Sequence, residues 1–555
     1  MNRPKNTLYY GDNLAVMQGK MALGSADLIY LDPPFNSNRN YNLMYRTLTG
    51  KPIPEQVEAF FDTWTLDEEK EHIARSMPVL MRETGIPDYY VEFWRLWFQA
   101  LKDARPELLA YLTYMVQRLL VMRKLLKPTG TIYLHCDPNV SHYIKVMMDG
   151  IFGHDRFLGE IIWQRAQAKG DARRKFAWNH DVILAYAGGR HHKFNPVHAI
   201  KTEQYEERFD RDDNDGRGAY HSAPLDSPSP RPNLMYEYKG YEPPAKGWRV
   251  SREEMERLDA DGRLIFPKTK EGRIRRKLYA SEQAGPKVGD VWTDILPLQS
   301  GAQRFGYPTQ KPVPLVKRII EASTDLGDTV FDPFCGCGTT IYAAHETHRQ
   351  WIGCDIAILA VNLIRDWLQT NYRLSEGSDY RVEGIPASVE SAEHLARNDP
   401  FTFQTWFVER VGGFPTQKAS ADRGVDGRMY FETGSKLHEV ILSVKGGRMV
   451  RPTDVRDLRG TLEREPNAKM AALLSLAEPS KAMQREAVDA GVYEYEGVRY
   501  PRIQFLTVRD LFEGKRELRT PTKVRTRINA GQGTLQLSGG GARHRDSDLS
   551  DIPSG

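Results

Sequence analysis

The sequence predicts an α/β fold, and three observations carry that prediction. Leu28, Ile29, Tyr30 and Leu31 form an unbroken apolar run ended by Asp32, Pro33 and Pro34, as expected of a short buried strand that stops at breakers. DTVFDPFCGCGTT (328–340) reads as a strand, a glycine-rich turn and the start of a helix. A further strand, QWIGCDI, ends on the acid Asp355, seventeen residues past Gly338. Open α/β sheets gather ligands at the C-terminal ends of their strands, so these tips are candidate site positions.

The bulk numbers agree with a globular chain of several domains. There are 555 residues, 40% hydrophobic and 27% charged, enough for more than one core. A net charge of +4 is small for this length and says little about partners. Cys136, Cys335, Cys337 and Cys354 are too few and too scattered for a disulfide framework. The single residue between Cys335 and Cys337 is poor spacing for a closed zinc site. A reducing cytoplasm is the expected compartment. The N-terminus has no apolar signal core, and no later run is long enough to span a bilayer.

Along the chain, NTLYYGDN and an amphipathic stretch from Leu14 precede the strand ending at Asp32. From about Pro54 to Leu126 the apolar positions, among them Trp64, Leu112, Met115 and Leu119, follow a helical period. The turn KPTG (127–130) feeds the strand TIYLHC, and a helix follows it. LGEIIW (158–163) and VILAYA (182–187) are further strands, separated by a basic stretch without helical periodicity. Prolines and charges dominate 190–300, which predicts a separate unit inserted into the main alternation. The alternation resumes with a helix from Pro314 to Ser323. The expected organisation is a catalytic half (7–189), an insertion (about 190–300) and a cofactor half (301–375). A linker (376–400), a smaller α/β domain (401–518) and a disordered Gly/Ser/Arg-rich tail (519–555) follow.

The glycine turn speaks for a ligand. Gly336 and Gly338 let the backbone approach it without a Cβ in the way, and the next helix presents free N–H groups. Asp355 is placed to accept hydrogen bonds from ribose hydroxyls. The lysine of a nucleotide-triphosphate loop is missing. Asp332, at the turn itself, would repel a pyrophosphate and welcome a cation. That charge argument favours S-adenosylmethionine, which carries an ammonium, a sulfonium and a ribose, over NAD.

DPPF (32–35) together with FDPFCGCGTT (331–340) resembles the DNA amino-methyltransferases, specifically their circularly permuted beta group. In that group the catalytic motif precedes the cofactor motif and the target-recognition region lies between them. The likeness runs from about Thr7 to Ser375 and includes YYGDNL, LLKPTGTIYLHCDPNVSHYIK, EIIWQR, NHDVILAY and GYPTQKP. It implies a Rossmann-like methyltransferase sheet and S-adenosylmethionine as cofactor. Asp32 and the Pro33 carbonyl would accept the hydrogens of a base amino group, Pro34 would stiffen that acceptor, and Phe35 would stack on the extruded base. By the same resemblance Asp12 lies near the cofactor's adenine, and Thr309 and Lys311 near its methionyl end. Asp332, Pro333, Phe334, Gly336, Gly338, Thr339 and Asp355 form the rest of the cofactor set. An aspartate opening the catalytic motif is the usual adenine-N6 form, with cytosine-N4 as the alternative. No cysteine follows a proline, which excludes a C5-cytosine nucleophile.

Double-stranded DNA is the implied partner; a homodimer or a restriction or defence partner stays open. Two basic runs are candidate phosphate contacts: Arg165, Lys169, Arg173, Arg174 and Lys175, and a later run including Arg273, Arg275 and Arg276. In the C-terminal region, DRGVDGRMYFE (422–432) and HEVILSVKGG (438–447) resemble Mrr-type nucleases of the restriction-endonuclease-like fold. Asp426 and Lys445 match that pattern, but Ser443 stands where a metal-binding residue belongs, so Mg²⁺ is expected only if this domain is active.

Overall fold

The computed structural model describes residues 6–34, 41–43, 45–46, 57–60, 64–166, 176, 179–199, 201–298, 310–416, 424–434, 436–447, 449–521 and 527–528. Two compact units emerge, one built from Asn195–Gly289 and the other from the chain on either side of it.

In the larger unit nine of the described strands make one sheet. In chain order they are β1 (Asn6–Tyr10), β2 (Ala26–Leu31), β3 (Leu126–Cys136), β4 (Phe157–Gln164), β5 (His180–Ala187), β6 (Val291–Trp292), β7 (Thr329–Asp332), β8 (Gln350–Asp355) and β9 (Tyr380–Glu383). Their spatial order is β6-β4-β5-β3-β2-β7-β8-β1-β9, and among these nine only β5 runs against its neighbours. β2 and β7 are therefore adjacent at the centre, with Leu28 opposite Val330 and Ile29 opposite Phe331. Both strands are buried on both faces, the condition under which an unbroken apolar run without alternation is stable. Parallel pairing brings the two Asp-Pro tips to the same sheet edge. The proximity spans 300 residues of sequence.

Helices α1 (Asn13–Gly19), α2 (Glu68–Glu83), α3 (Asp88–Ala104), α4 (Pro106–Leu125) and α5 (Pro138–Phe152) contribute to the main core, as do β2 and β3. α4 is nearly all buried and starts on a proline, which suits a first helical position. On the cofactor side lie α6 (Val313–Ser323), α7 (Thr339–Glu346) and α8 (Ile358–Tyr372). No helix among the described residues is long and apolar enough to cross a membrane.

Three expectations need correcting. KPTG is not a turn before a strand but lies inside β3. The segment 376–400 is not a linker. It supplies edge strand β9, paired in parallel with β1, and helix α9 (Val389–Asn398), closed by a Ser388–Ser391 capping box. Polar composition misled here because an edge strand and a surface helix each bury little of themselves. The expected tail is also held at its start. Gln504 accepts from the Arg519 backbone N–H at 2.8 Å and donates to its carbonyl at 2.9 Å, and Arg527–Ile528 pairs with Tyr45–Arg46.

The C-terminal part begins with α10 (Pro400–Arg410), and its sheet contains β10 (Phe414–Pro415), β11 (Gly427–Thr433), β12 (Lys436–Lys445), β13 (Ala468–Ser475) and β14 (Ile503–Thr507) in that spatial order. β11 and β12 form an antiparallel hairpin; β12, β13 and β14 run parallel. Helix α11 (Pro452–Arg464) packs on β13. The unit 195–289 has its own small sheet, in which Tyr220–Pro224 and Leu264–Ile265 flank Arg275–Tyr279. Its core includes Trp248, Tyr238 and Met255.

Candidate active site

The tips of β1, β2, β7 and β8 open into one pocket, lined among others by Gly11, Asp12, Asn13, Tyr30, Asp32, Pro34, Lys311, Asp332, Phe334, Gly336, Thr339 and Asp355. Pro333 lines it too. Most of the predicted positions thus meet in one place. Phe35 and Thr309 lie outside the described residues.

The glycine turn is built tightly. Gly338 has φ +88°, and a Cβ there would sit 2.7 Å from Ile364 and 2.9 Å from Tyr342, so no side chain fits. The Gly336 N–H donates to Asp355 Oδ2 at 2.8 Å, and the Ala357 N–H donates to Oδ1 at 2.9 Å. Burial pushes the Asp355 carboxyl up to about 6 against these two bonds. Asp332 is more enclosed: its oxygens accept from the Phe334 N–H at 2.9 Å and the Thr340 hydroxyl at 2.5 Å. Burial, aided by Asp32 and Asp355, pushes it up to about 7. Three carboxyl groups thus lie within electrostatic reach of one another, and one of them, Asp32, has a cation beside it.

Asp32 Oδ2 accepts from Lys311 Nζ at 2.6 Å, with both side chains largely buried. Lys311 therefore meets the catalytic candidate itself, a contact the resemblance did not supply. Thr339 Oγ1, 3.4 Å from the Lys311 carbonyl, steadies that backbone. Asp32 Oδ1 is buried with no hydrogen-bond partner among the described residues. A buried unpaired carboxylate oxygen is costly, and in a pocket it marks an acceptor awaiting a donor. The four cysteines are buried and form no disulfide, and burial pushes each thiol up. Among the described residues no His, Cys, Asp and Glu cluster is set to hold a metal.

Asp12 reaches the pocket, but its oxygens are engaged. Oδ1 caps α1 by accepting from Leu14 and Ala15 N–H groups, and Oδ2 accepts from Arg118 Nη2 at 2.7 Å. Arg118 also donates to Asn13 Oδ1 at 2.6 Å and lies over the Tyr114 ring at 3.4 Å. Asn13 in turn donates to the Pro333 carbonyl at 2.8 Å, tying this turn to the glycine turn. Sequence reasoning missed Asn13, Tyr114 and Arg118. A lone arginine within the buried face of α4 was the available signal. Arg118→Met is expected to cost about 2 kcal/mol, less than a fully buried pair because Asp12 is a third exposed. An unchanged urea midpoint would show that the network carries no stability.

A second chain of contacts leads away from the pocket. The Tyr30 hydroxyl is 3.0 Å from His135 Nδ1, and His135 Nε2 is 3.1 Å from Asp181 Oδ2. A carboxylate only accepts, so His135 Nε2 donates to Asp181. Burial pushes the Asp181 carboxyl up, but His135, Lys311 and Arg165 outweigh it and hold it below the usual range. Arg165, expected on DNA, has its Nε 3.0 Å from Asp181 Oδ1 and stays about a third exposed. Lys169, Arg173, Arg174 and Lys175 lie outside the described residues.

The second basic run makes contacts within its own unit and stays partly or fully exposed. Arg275 donates to the Ser222 hydroxyl and carbonyl at 2.7 and 2.6 Å, clamping two strands together. Arg273 faces Asp226 at 3.8 Å and keeps half its surface exposed, while Arg276 is half-buried. Arg275 thus joins its strand to the neighbouring one and stays partly exposed. In the C-terminal sheet, Asp426 Oδ2 accepts from the Val444 N–H at 2.6 Å and the Ser443 hydroxyl at 3.2 Å. Lys445 Nζ is 4.0 Å from Asp454 on α11.

A family profile described as DNA methylase (N6_N4_Mtase) matches residues 26–366. The chain is similar to the type II methyltransferase M.EcaI of Enterobacter cloacae, 33% identical over 46% of this chain and 56% of that protein. It is also similar to the Mod subunit of the type III restriction-modification enzyme StyLTI of Salmonella typhimurium, 27% identical over 71% of this chain and 59% of the relative. The chain thus spans under two thirds of either relative's length. Among solved structures, the PvuII DNA methyltransferase (cytosine-N4-specific) aligns at 12% identity, covering 67% of this chain and 88% of that one, with a TM-score of 0.31.

Proposed function

The chain belongs to the N6/N4 DNA methylase family, and from that premise we propose that it is a site-specific DNA methyltransferase acting on the N6 amino group of an adenine flipped out of double-stranded DNA. Its motif order supports assignment to the permuted beta group. The observation that carries this reading is the pairing of β2 with β7. It brings Asp32, whose buried Oδ1 has no hydrogen-bond partner among the described residues, into the lining of the pocket that Asp355 and Gly336 also line.

The cofactor is S-adenosylmethionine, which brings an electrophilic methyl group on a sulfonium. The residues fit it: the pocket is acidic, Gly336 lines it without a side chain, and Asp355 at the tip of β8 suits ribose hydroxyls. Asp332, Pro333, Phe334 and Thr339 complete the wall. An exocyclic amino nitrogen is a poor nucleophile because its lone pair is delocalised into the ring. Asp32 Oδ1 and the Pro33 carbonyl accept its two hydrogens, making the nitrogen more tetrahedral and aiming its lone pair. Pro33 and Pro34 stiffen that acceptor pair, while Lys311 holds the other Asp32 oxygen and so sets the carboxylate's rotation. Phe35 stacks on the flipped base. Arg165 and the basic stretch after it grip phosphates.

Incubation with methyl-labelled S-adenosylmethionine and mixed-sequence DNA, followed by nucleoside chromatography, tests this reading. Label in N6-methyladenine is expected. Label in N4-methylcytosine would move the assignment to the cytosine branch, and no label in DNA would end it.

The C-terminal sheet is read as a restriction-endonuclease-like domain that binds DNA without cutting it. Ser443 brings a neutral hydroxyl where a carboxylate is needed, and Asp426 is already bonded to Val444 and Ser443. Mg²⁺ gives up water reluctantly, and no cluster of three His, Cys, Asp or Glu among the described residues is set to hold it. With Mg²⁺ the protein is therefore expected to leave supercoiled plasmid intact. Nicking by the wild type that Lys445→Ala removes would instead reveal a fused restriction enzyme. Nicking gained by Ser443→Glu would show that only a metal ligand is missing.

A further inference from the structure

Helix α8 begins directly after the Asp355 turn, and its own N-cap residue, Ala357, has no side chain able to bond the free N–H groups. The missing acceptor comes from the C-terminal part of the chain. Glu409 Oε2, on α10, accepts from the Ile358 N–H at 3.2 Å. α10 is a firm carrier, since Phe403, Trp406 and Phe407 are all buried and Trp406 stacks on Phe512. The turn so capped is the one whose Asp355 and Ile356 line the pocket. Its other end is pinned by the Gly11 N–H, which donates to the Asp355 carbonyl at 3.0 Å.

We infer that Glu409 is a positioning residue for the cofactor, supplied by the C-terminal domain: it caps α8 from outside and so fixes the Asp355–Ile358 turn. The inference rests on S-adenosylmethionine occupying this pocket. It gives the C-terminal domain a part in the transferase site that does not depend on nuclease activity or on DNA. Burial pushes the Glu409 carboxyl up to about 8, with Asp355 adding to the rise, so at neutral pH a glutamine resembles it closely.

The test uses the full chain and three variants. Glu409→Ala is expected to raise the calorimetric Kd for S-adenosylmethionine about tenfold, the usual worth of a helix cap. The loss should appear in KM for the cofactor and not in kcat at saturation. Glu409→Gln should stay within about twofold of wild type, because its amide oxygen still accepts. Ala357→Ser in the Glu409→Ala background should restore affinity by capping α8 locally, Ala357 having the extended backbone a cap requires. Amide exchange over 355–362, read without cofactor, should quicken in Glu409→Ala and slow again in the double variant. Unchanged affinity in Glu409→Ala, or a double variant that is not rescued, overturns the inference. A wild type that binds no S-adenosylmethionine overturns the cofactor reading instead, and the inference with it.

Discussion

Asp32→Ala is expected to abolish methyl transfer while leaving S-adenosylmethionine binding nearly intact. Asp32 lines the pocket and its buried Oδ1 has no partner among the described residues, whereas the glycine turn follows β7 and Asp355 ends β8. Losing an acceptor that acts on the reacting amino group inside a closed site should lower turnover about 10²-fold or more. The substitution also removes the ion pair with Lys311, so a loss of stability is expected beside the loss of rate. Asp32→Ala/Lys311→Met separates the two effects. It should recover stability, because no buried ammonium is left facing an absent carboxylate, and recover no turnover. Methylation by Asp32→Ala at near the wild-type rate would take Asp32 out of the chemistry.

Asp355→Ala should raise the Kd for S-adenosylmethionine ten- to a hundredfold, since hydrogen bonds to a charged group are worth roughly 1.5–3 kcal/mol each. The internal bonds from Gly336 and Ala357 add to the expected effect, because the same carboxylate shapes the turn that faces the ligand. Its pH dependence has a defined sign. With the carboxyl at about 6, protonation on lowering the pH through 6 removes the charged acceptor, so cofactor affinity should fall. Stability of the free protein should move the other way. A folded-state value above the ordinary carboxyl value means that ionisation costs folding energy. That cost is complete above about 6 and is relieved as the pH falls. Asp332, at about 7, contributes with the same sign. Asp355→Asn should flatten both trends near pH 6. Calorimetric titrations at pH 5.5 and 7.5 that give equal wild-type affinities would refute the assigned contact.

Local signals made the three strand tips legible. A buried parallel strand needs an unbroken apolar run, and its end needs breakers, so LIYLDPP and TVFDPF announce themselves without knowledge of their neighbours. Gly338 was expected to make room for a ligand, but the space beside it is taken by Ile364 and Tyr342, contacts no local signal announces. The edge strand at 380–383 and helix α9 were not legible. Their residues are half solvated, and composition there resembles that of a linker.

What the sequence by itself determined is the chemistry available: carboxylates at strand ends, glycines at a turn, prolines beside an acceptor. Only the tertiary structure decided which of these groups meet. Lys311 with Asp32, Arg118 with Asp12 and Asn13, and Glu409 with Ile358 are contacts across 279, more than a hundred and 51 residues. Arg275, expected on DNA, also bonds Ser222 on the neighbouring strand. The physical reason is that a charged side chain carries no periodicity pointing to its partner. Its role depends on which acceptor lies within about 3 Å after folding, and that distance is set by sheet order and helix packing, not by neighbours in the chain.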